Sequence, residues 1–104
     1  MADERLQQLE KMLDDNPNDT FCLYGIAHEH AKAGRLDQAL VFFDRTLEVD
    51  PDYCYAYYHK ARTLDDDGQT DEALKTALLG LQRATAVGDA HAAAELDALR
   101  DELE

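Results

Sequence analysis

Shifted by 34 residues, this chain matches itself in its turn residues as well as in its apolar positions. Pro17 falls on Pro51, Gly34 on Gly68, Ala27 on Ala61, Ala39 on Ala73, Asp37 on Asp71 and Tyr24 on Tyr58. Two leucine series run through three copies, Leu6/Leu40/Leu74 and Leu13/Leu47/Leu81. Any two amphipathic helices can share a spacing of large apolar residues. Shared prolines and glycines require the same turns in the same places, and a period of this length is the mark of a tandem array. Each unit of such an array buries its apolar face on its neighbours, so the fold is set by stacking. The 104 residues make a single domain (1–104).

Between the turn residues the periodicity is helical. Leu23, Ile26, Ala27 and His30 lie at i, i+3, i+4 and i+7, and Ala39, Leu40, Phe43, Thr46 and Leu47 repeat the stripe on the next segment. Gly34 and Gly68 each sit between two such segments, where a helix end favours a residue at positive φ. Pro51 and Pro17 follow helical segments, and Asp19 or Thr20 can cap the segment after Pro17. The pattern predicts six helices, over 3–15, 19–33, 36–49, 53–67, 70–86 and 90–103.

A 34-residue helix–turn–helix unit with alanines at close-packed positions, Gly at the turn, a large apolar residue and a closing Pro resembles the tetratricopeptide repeat. One full copy runs over 20–53, with Leu23, Ile26, Ala27, Gly34, Ala39, Phe43 and Pro51 at motif positions. A second runs over 54–87, with Tyr57, Ala61, Leu64, Gly68, Ala73 and Leu81. Residues 4–17 look like the second helix of an incomplete preceding repeat, and residues 88–103 like a capping helix. The chain is also similar to small bacterial tetratricopeptide proteins of about this length. The resemblance implies an all-α, right-handed helix–turn–helix solenoid. Three positions depart from the family. Lys60 stands where Leu is usual, Thr85 where Pro is expected, and Gly80 where Ala is usual. Lys60 calls either for a buried stem with its ammonium led to solvent or for a loose wall, and Thr85 for a fifth helix about one turn longer. Gly80, costing roughly 1 kcal/mol of helix propensity, calls for a close backbone approach, expected from the closing helix.

Charge removes whole classes of function. Lys plus Arg number 10 against 23 Asp plus Glu, a net charge of −13, whereas affinity for nucleic acid comes largely from neutralising phosphates. No apolar run approaches the ~20 residues that cross a bilayer. Met1 is followed by Ala-Asp-Glu-Arg rather than by a basic start and an apolar core, and the two cysteines form no C-x-x-C, so a cytoplasmic protein with reduced thiols is expected. The acid load itself admits three readings. Solubility on helix surfaces is the default, with attraction for a basic partner and adaptation to high salt beside it. Asp outnumbering Glu 15 to 8 with four lysines adds weight to the last without displacing the default.

Catalytic chemistry finds no foothold. There is no serine, so no serine triad can form, and Cys22 with His28 or His30 lacks a fixed geometry and a third orienting group. His28 and His30 point to different sides of a helix. Asp65-Asp66-Asp67-Gly68 lacks the alternating ligands of a calcium loop and reads as a solvated turn. No cofactor and no metal are expected.

What remains is a surface. The resemblance places Phe21, Tyr24, His28 and Ala31, then Tyr55, Tyr58, Arg62 and Asp65, on the concave side of the solenoid. Tyr24/His28 and Tyr58/Arg62 are i, i+4 pairs in their own right. The family's clamp for acidic chaperone tails uses Lys and Asn, where this chain carries Tyr24 and His28, then Tyr55 and His59. The expected function is therefore non-catalytic binding of a peptide or helix that is apolar or aromatic with basic residues. The expected site is Phe21, Tyr24, His28, Tyr55, Tyr58, His59, Arg62 and Asp65, on a monomer or weak homodimer. Two alternatives stand beside it: the tyrosines can serve repeat packing, and an open N-terminal edge can stack on another copy.

Overall fold

The computed structural model describes residues 2–104. Six helices follow one another: α1 (Ala2–Asp15), α2 (Thr20–Lys32), α3 (Leu36–Val49), α4 (Cys54–Asp66), α5 (Thr70–Val87) and α6 (Ala90–Leu103), with no strand among the described residues. Each expected helix is found, with no end moved by more than one residue and α3 and α6 unchanged. Together they form an all-α helix–turn–helix solenoid of 37 × 29 × 20 Å.

The turns repeat as the sequence does. Gly34 and Gly68 adopt φ of +79° and +80°. The amide of the residue after each glycine reaches back to a carbonyl five residues earlier, Arg35 to His30 at 2.9 Å and Gln69 to Leu64 at 2.8 Å. This is the bond that closes a helix through a left-handed residue. Gly88 ends α5 in the same way, and Asp89 then accepts from the Ala92 amide to start α6. Asp19 caps α2 by accepting from the Cys22 amide.

Packing proceeds in layers along the array. Leu6 and Leu9 of α1 meet Cys22 and Ile26 of α2. Ala27, Ala39, Phe43 and Ala56 join α2, α3 and α4. Cys54, Tyr57, Ala84, Ala92 and Leu96 join α4, α5 and α6, with Ala61, Ala77 and Leu99 alongside. Leu96 and Leu99 are buried while Asp97, Asp101 and Glu102 face solvent, so α6 closes the array with a polar outer side.

The departures have physical answers. Lys60 is half-buried and its Nζ lies 2.7 Å from Asp44 of α3. Helix α5 runs 18 residues against 14 for α3, as a missing proline allows. Gly80 does sit at a close approach, but chiefly to α4. A Cβ there would lie 2.5 Å from Tyr57 Cβ, and 3.1 Å from Leu96 Cδ2 of the closing helix. No described helix is long and apolar enough to cross a membrane.

Candidate functional site

Helices α2 and α4 lie side by side and bring aromatic side chains from both into one strip. The hub is His59. Its ring centroid lies 5.8 Å from Tyr24, 5.1 Å from His28 and 5.1 Å from Tyr58. Tyr24 extends the strip to Tyr53 at 4.9 Å and rests edge-on against buried Phe43 at 6.1 Å. At the other end Arg62 lies over the Tyr58 ring at 5.4 Å and donates to its hydroxyl at 3.1 Å. Arg62 also reaches Glu102 of α6 at 3.8 Å, tying the strip to the closing helix.

Electrostatics keep Tyr24 and His59, in the middle of this strip, uncharged near neutral pH. Burial, then His28 and Arg62, push the His59 imidazole down to about 4, so it is uncharged. Burial, reinforced by Tyr53 and Tyr55, pushes the Tyr24 hydroxyl up to about 12. These two rings therefore offer π-faces and neutral edges rather than charge.

The expected site residues do not all gather here. Tyr24, His28, Tyr58, His59 and Arg62 do. Tyr55 instead pairs with His91 of α6, with ring centroids 6.2 Å apart and its hydroxyl on His91 Nδ1. Asp65 accepts from the Thr70 hydroxyl at 3.0 Å, bracing the turn into α5. Phe21, 56% exposed, borders a pocket of about 180 Å³ at the α2 end of the strip, lined also by Tyr24, His28 and Tyr53. Gly25, Glu29 and Arg5 complete its lining. Tyr53, Glu29 and His91 had no place in the sequence-based site. Tyr53 sits in the loop before α4, where the 34-residue shift pairs it with Asp19.

Neither thiol resembles a nucleophile. Cys22 and Cys54 are free and buried, and burial followed by neighbouring aspartates raises both. No group of three or more His, Cys, Asp or Glu that could hold a metal ion lies together among the described residues.

Comparison with known proteins places this architecture. The family model of the tetratricopeptide repeat matches residues 42–75. A tetratricopeptide repeat domain protein from Salinibacter ruber, solved in solution, is 32% identical, with a TM-score of 0.79 over 86% of this chain and 90% of that one. The chain belongs to the tetratricopeptide repeat family. The TPR2B domain of yeast Sti1, solved in a pHsp70 complex, superposes with a TM-score of 0.88 over 94% of this chain and 78% of that one, at 22% identity, a likeness of fold. The tetratricopeptide repeat-containing protein YpiA of Bacillus subtilis is 32% identical over 73 residues, 70% of this chain and 17% of YpiA. The chain spans less than a fifth of the curated relatives it matches. Helix α6 has His91 as its one aromatic ring, whereas α4 carries Tyr55, Tyr57 and Tyr58. The aromatic character of this tetratricopeptide surface is therefore concentrated on α2 and α4.

Proposed function

We propose that this protein is a non-catalytic adaptor that holds a peptide or helix of a partner protein along the strip Tyr24–His28–His59–Tyr58–Arg62. The repeats at 20–53 and 54–87 would supply the groove, with the half repeat at 4–17 and the helix at 88–103 closing its ends. The observation that carries the proposal is the unbroken run of rings from Tyr53 to Tyr58, contributed by α2, α4 and the loop before α4. Rings present large contact area at low entropy cost, and Tyr and Arg are enriched where binding energy concentrates. Sti1 domains of the same fold, solved in pHsp70 and pHSP90 complexes, support a protein or peptide as the class of ligand. The ligand suited to this chain is apolar or aromatic with one or two basic residues, because a net charge of −13 repels an acidic tail. We place its work in the cytoplasm.

Stacking of copies through the N-terminal edge is less well supported. Helix α1 turns Glu4, Gln7, Gln8, Glu10 and Lys11 to solvent, with Met12 as its exposed large apolar side chain among the described residues. The test is truncation of the strip. Tyr58→Ala, with helicity intact, should weaken a peptide selected on the wild-type protein by at least ~1–2 kcal/mol. If Tyr24→Ala and Tyr58→Ala both leave its affinity unchanged, the binding surface lies elsewhere.

A further inference from the structure

We propose that the pocket bordered by Phe21, Tyr24, Tyr53 and Glu29 is the seat for an arginine side chain of the bound peptide. The inference rests on the groove reading and names the residue type that its α2 end selects.

Its core is a carboxylate in the wrong environment for a surface residue. Glu29 is 9% exposed, and its cationic neighbours are Arg5, with Nε at 3.2 Å, and Lys32, with Nζ at 3.7 Å. Those two side chains are 60% and 62% exposed. A carboxylate withdrawn from water calls for a close positive charge. Here that charge comes from two long arms that lie mostly in solvent, an arrangement that an incoming cation can replace. The neighbouring walls suit such a cation. Phe21 stands exposed beside Tyr24 and Tyr53, and ring faces attract positive charge that is partly desolvated.

Size and geometry select arginine. The pocket's ~180 Å³ gives room for a guanidinium and its last methylenes but not for a folded segment. A planar guanidinium can lie on a ring while its fork reaches a carboxylate, which the compact ammonium of lysine cannot do at once. The chain sets its own guanidinium groups over rings, Arg62 over Tyr58 at 5.4 Å and Arg45 over Phe42 at 4.9 Å, and Arg62 also reaches the Glu102 carboxylate at 3.8 Å. Arg5 is then the internal stand-in, holding Glu29 until the partner's arginine displaces it. A net charge of −13 favours the approach.

The test is an amide-resolved NMR titration of the full chain with N-acetyl-arginine N-methylamide, its citrulline counterpart and its lysine counterpart. Citrulline keeps the shape and removes the charge. The expected result is shifts centred on Phe21, Tyr24, Gly25 and Glu29, with citrulline and lysine at least about tenfold weaker. Arg5→Ala should tighten the arginine probe and Glu29→Gln should weaken it by about tenfold or more. Phe21→Ala, at an exposed position outside the core, should weaken it severalfold without changing helicity. Citrulline or lysine binding as tightly as arginine, or no change in both Arg5→Ala and Phe21→Ala, would overturn the assignment. Tyr58→Ala separates the two readings, because it should weaken a long peptide while leaving the arginine probe unaffected. A Tyr58-dependent peptide without an arginine seat defeats this inference alone, and a seat without Tyr58 dependence defeats the groove alone.

Discussion

Replacing Gly80 by alanine should destabilise this protein, although alanine is the better helix former. In an exposed helix interior the exchange favours folding by roughly 1 kcal/mol. Here the added Cβ would stand 2.5 Å from Tyr57 Cβ, 3.0 Å from Tyr57 Cγ and 3.1 Å from Leu96 Cδ2. Ordinary carbon contacts lie near 3.5–4.0 Å, so α4 and α5 must separate by about 1 Å. Rotating the tyrosine brings no relief, since its Cβ is fixed to the backbone and its hydroxyl is held by the Pro51 carbonyl at 2.7 Å. Overpacking of a filled core typically costs 1–3 kcal/mol, and a clash with backbone-fixed atoms belongs at or above the upper end. The net loss is then about 2 kcal/mol, a fall of some 8–16 °C in melting temperature for a domain of this size. Thermal unfolding followed by circular dichroism reads it directly. Gln82→Gly, on the exposed side of the same helix, is the control and should cost only the propensity term of roughly 1 kcal/mol. A Gly80→Ala protein melting at or above wild type would refute the close-approach argument.

Three further outcomes follow from the same geometry. Truncation after Gly88 strips the cover from Tyr57, Ala77 and Ala84 and should yield aggregated or unfolded protein, while Leu96→Ala alone should cost about 2–5 kcal/mol; a soluble truncation with an unchanged melt would contradict the capping role of α6. Raising NaCl towards ~1 M, where the Debye length falls to ~3 Å, should raise the melting temperature if the carboxylates repel one another; a flat or falling series would remove the high-salt reading. His59 is held near 4 in the folded chain against an ordinary 6.5, so its contribution is complete above pH 6.5 and is lost as pH falls from there towards 4. Melting temperature should therefore decline between pH 7 and 5, and His59→Gln should make the decline shallower, leaving the part due to His30, which burial and Arg35 also lower.

The architecture was legible because its determinants are local and repeated. Gly34 and Gly68 recur at the same offset because each must close a helix through a left-handed residue, and Ala27, Ala39, Ala61 and Ala73 mark where helices touch. The candidate site was legible only where it obeys the repeat. Tyr24 and Tyr58 are counterparts, and both lie in the strip. Tyr55 has Phe21 as its counterpart, yet the two part company because α6 brings His91 to the one while nothing comparable covers the other. That contact depends on the register of the closing helix, which lies outside the repeat and has no earlier copy to align with. Tyr53 has no signal in the repeat because its counterpart, Asp19, is a capping aspartate. Glu29 has none because burial of a single carboxylate between Arg5 and Lys32 depends on how α1 crosses α2, and helical periodicity does not encode that crossing.

The most direct test of the central claim is to select a peptide ligand from an unbiased library on the wild-type chain and map its binding surface by amide and aromatic NMR shifts. The account predicts the largest changes at Tyr24, His28, Tyr58, His59 and Arg62, continuing to Phe21 and Tyr53. Changes confined to Val41, Leu78 and Leu79 on the exposed sides of α3 and α5, with the rings of the strip unmoved, would contradict it.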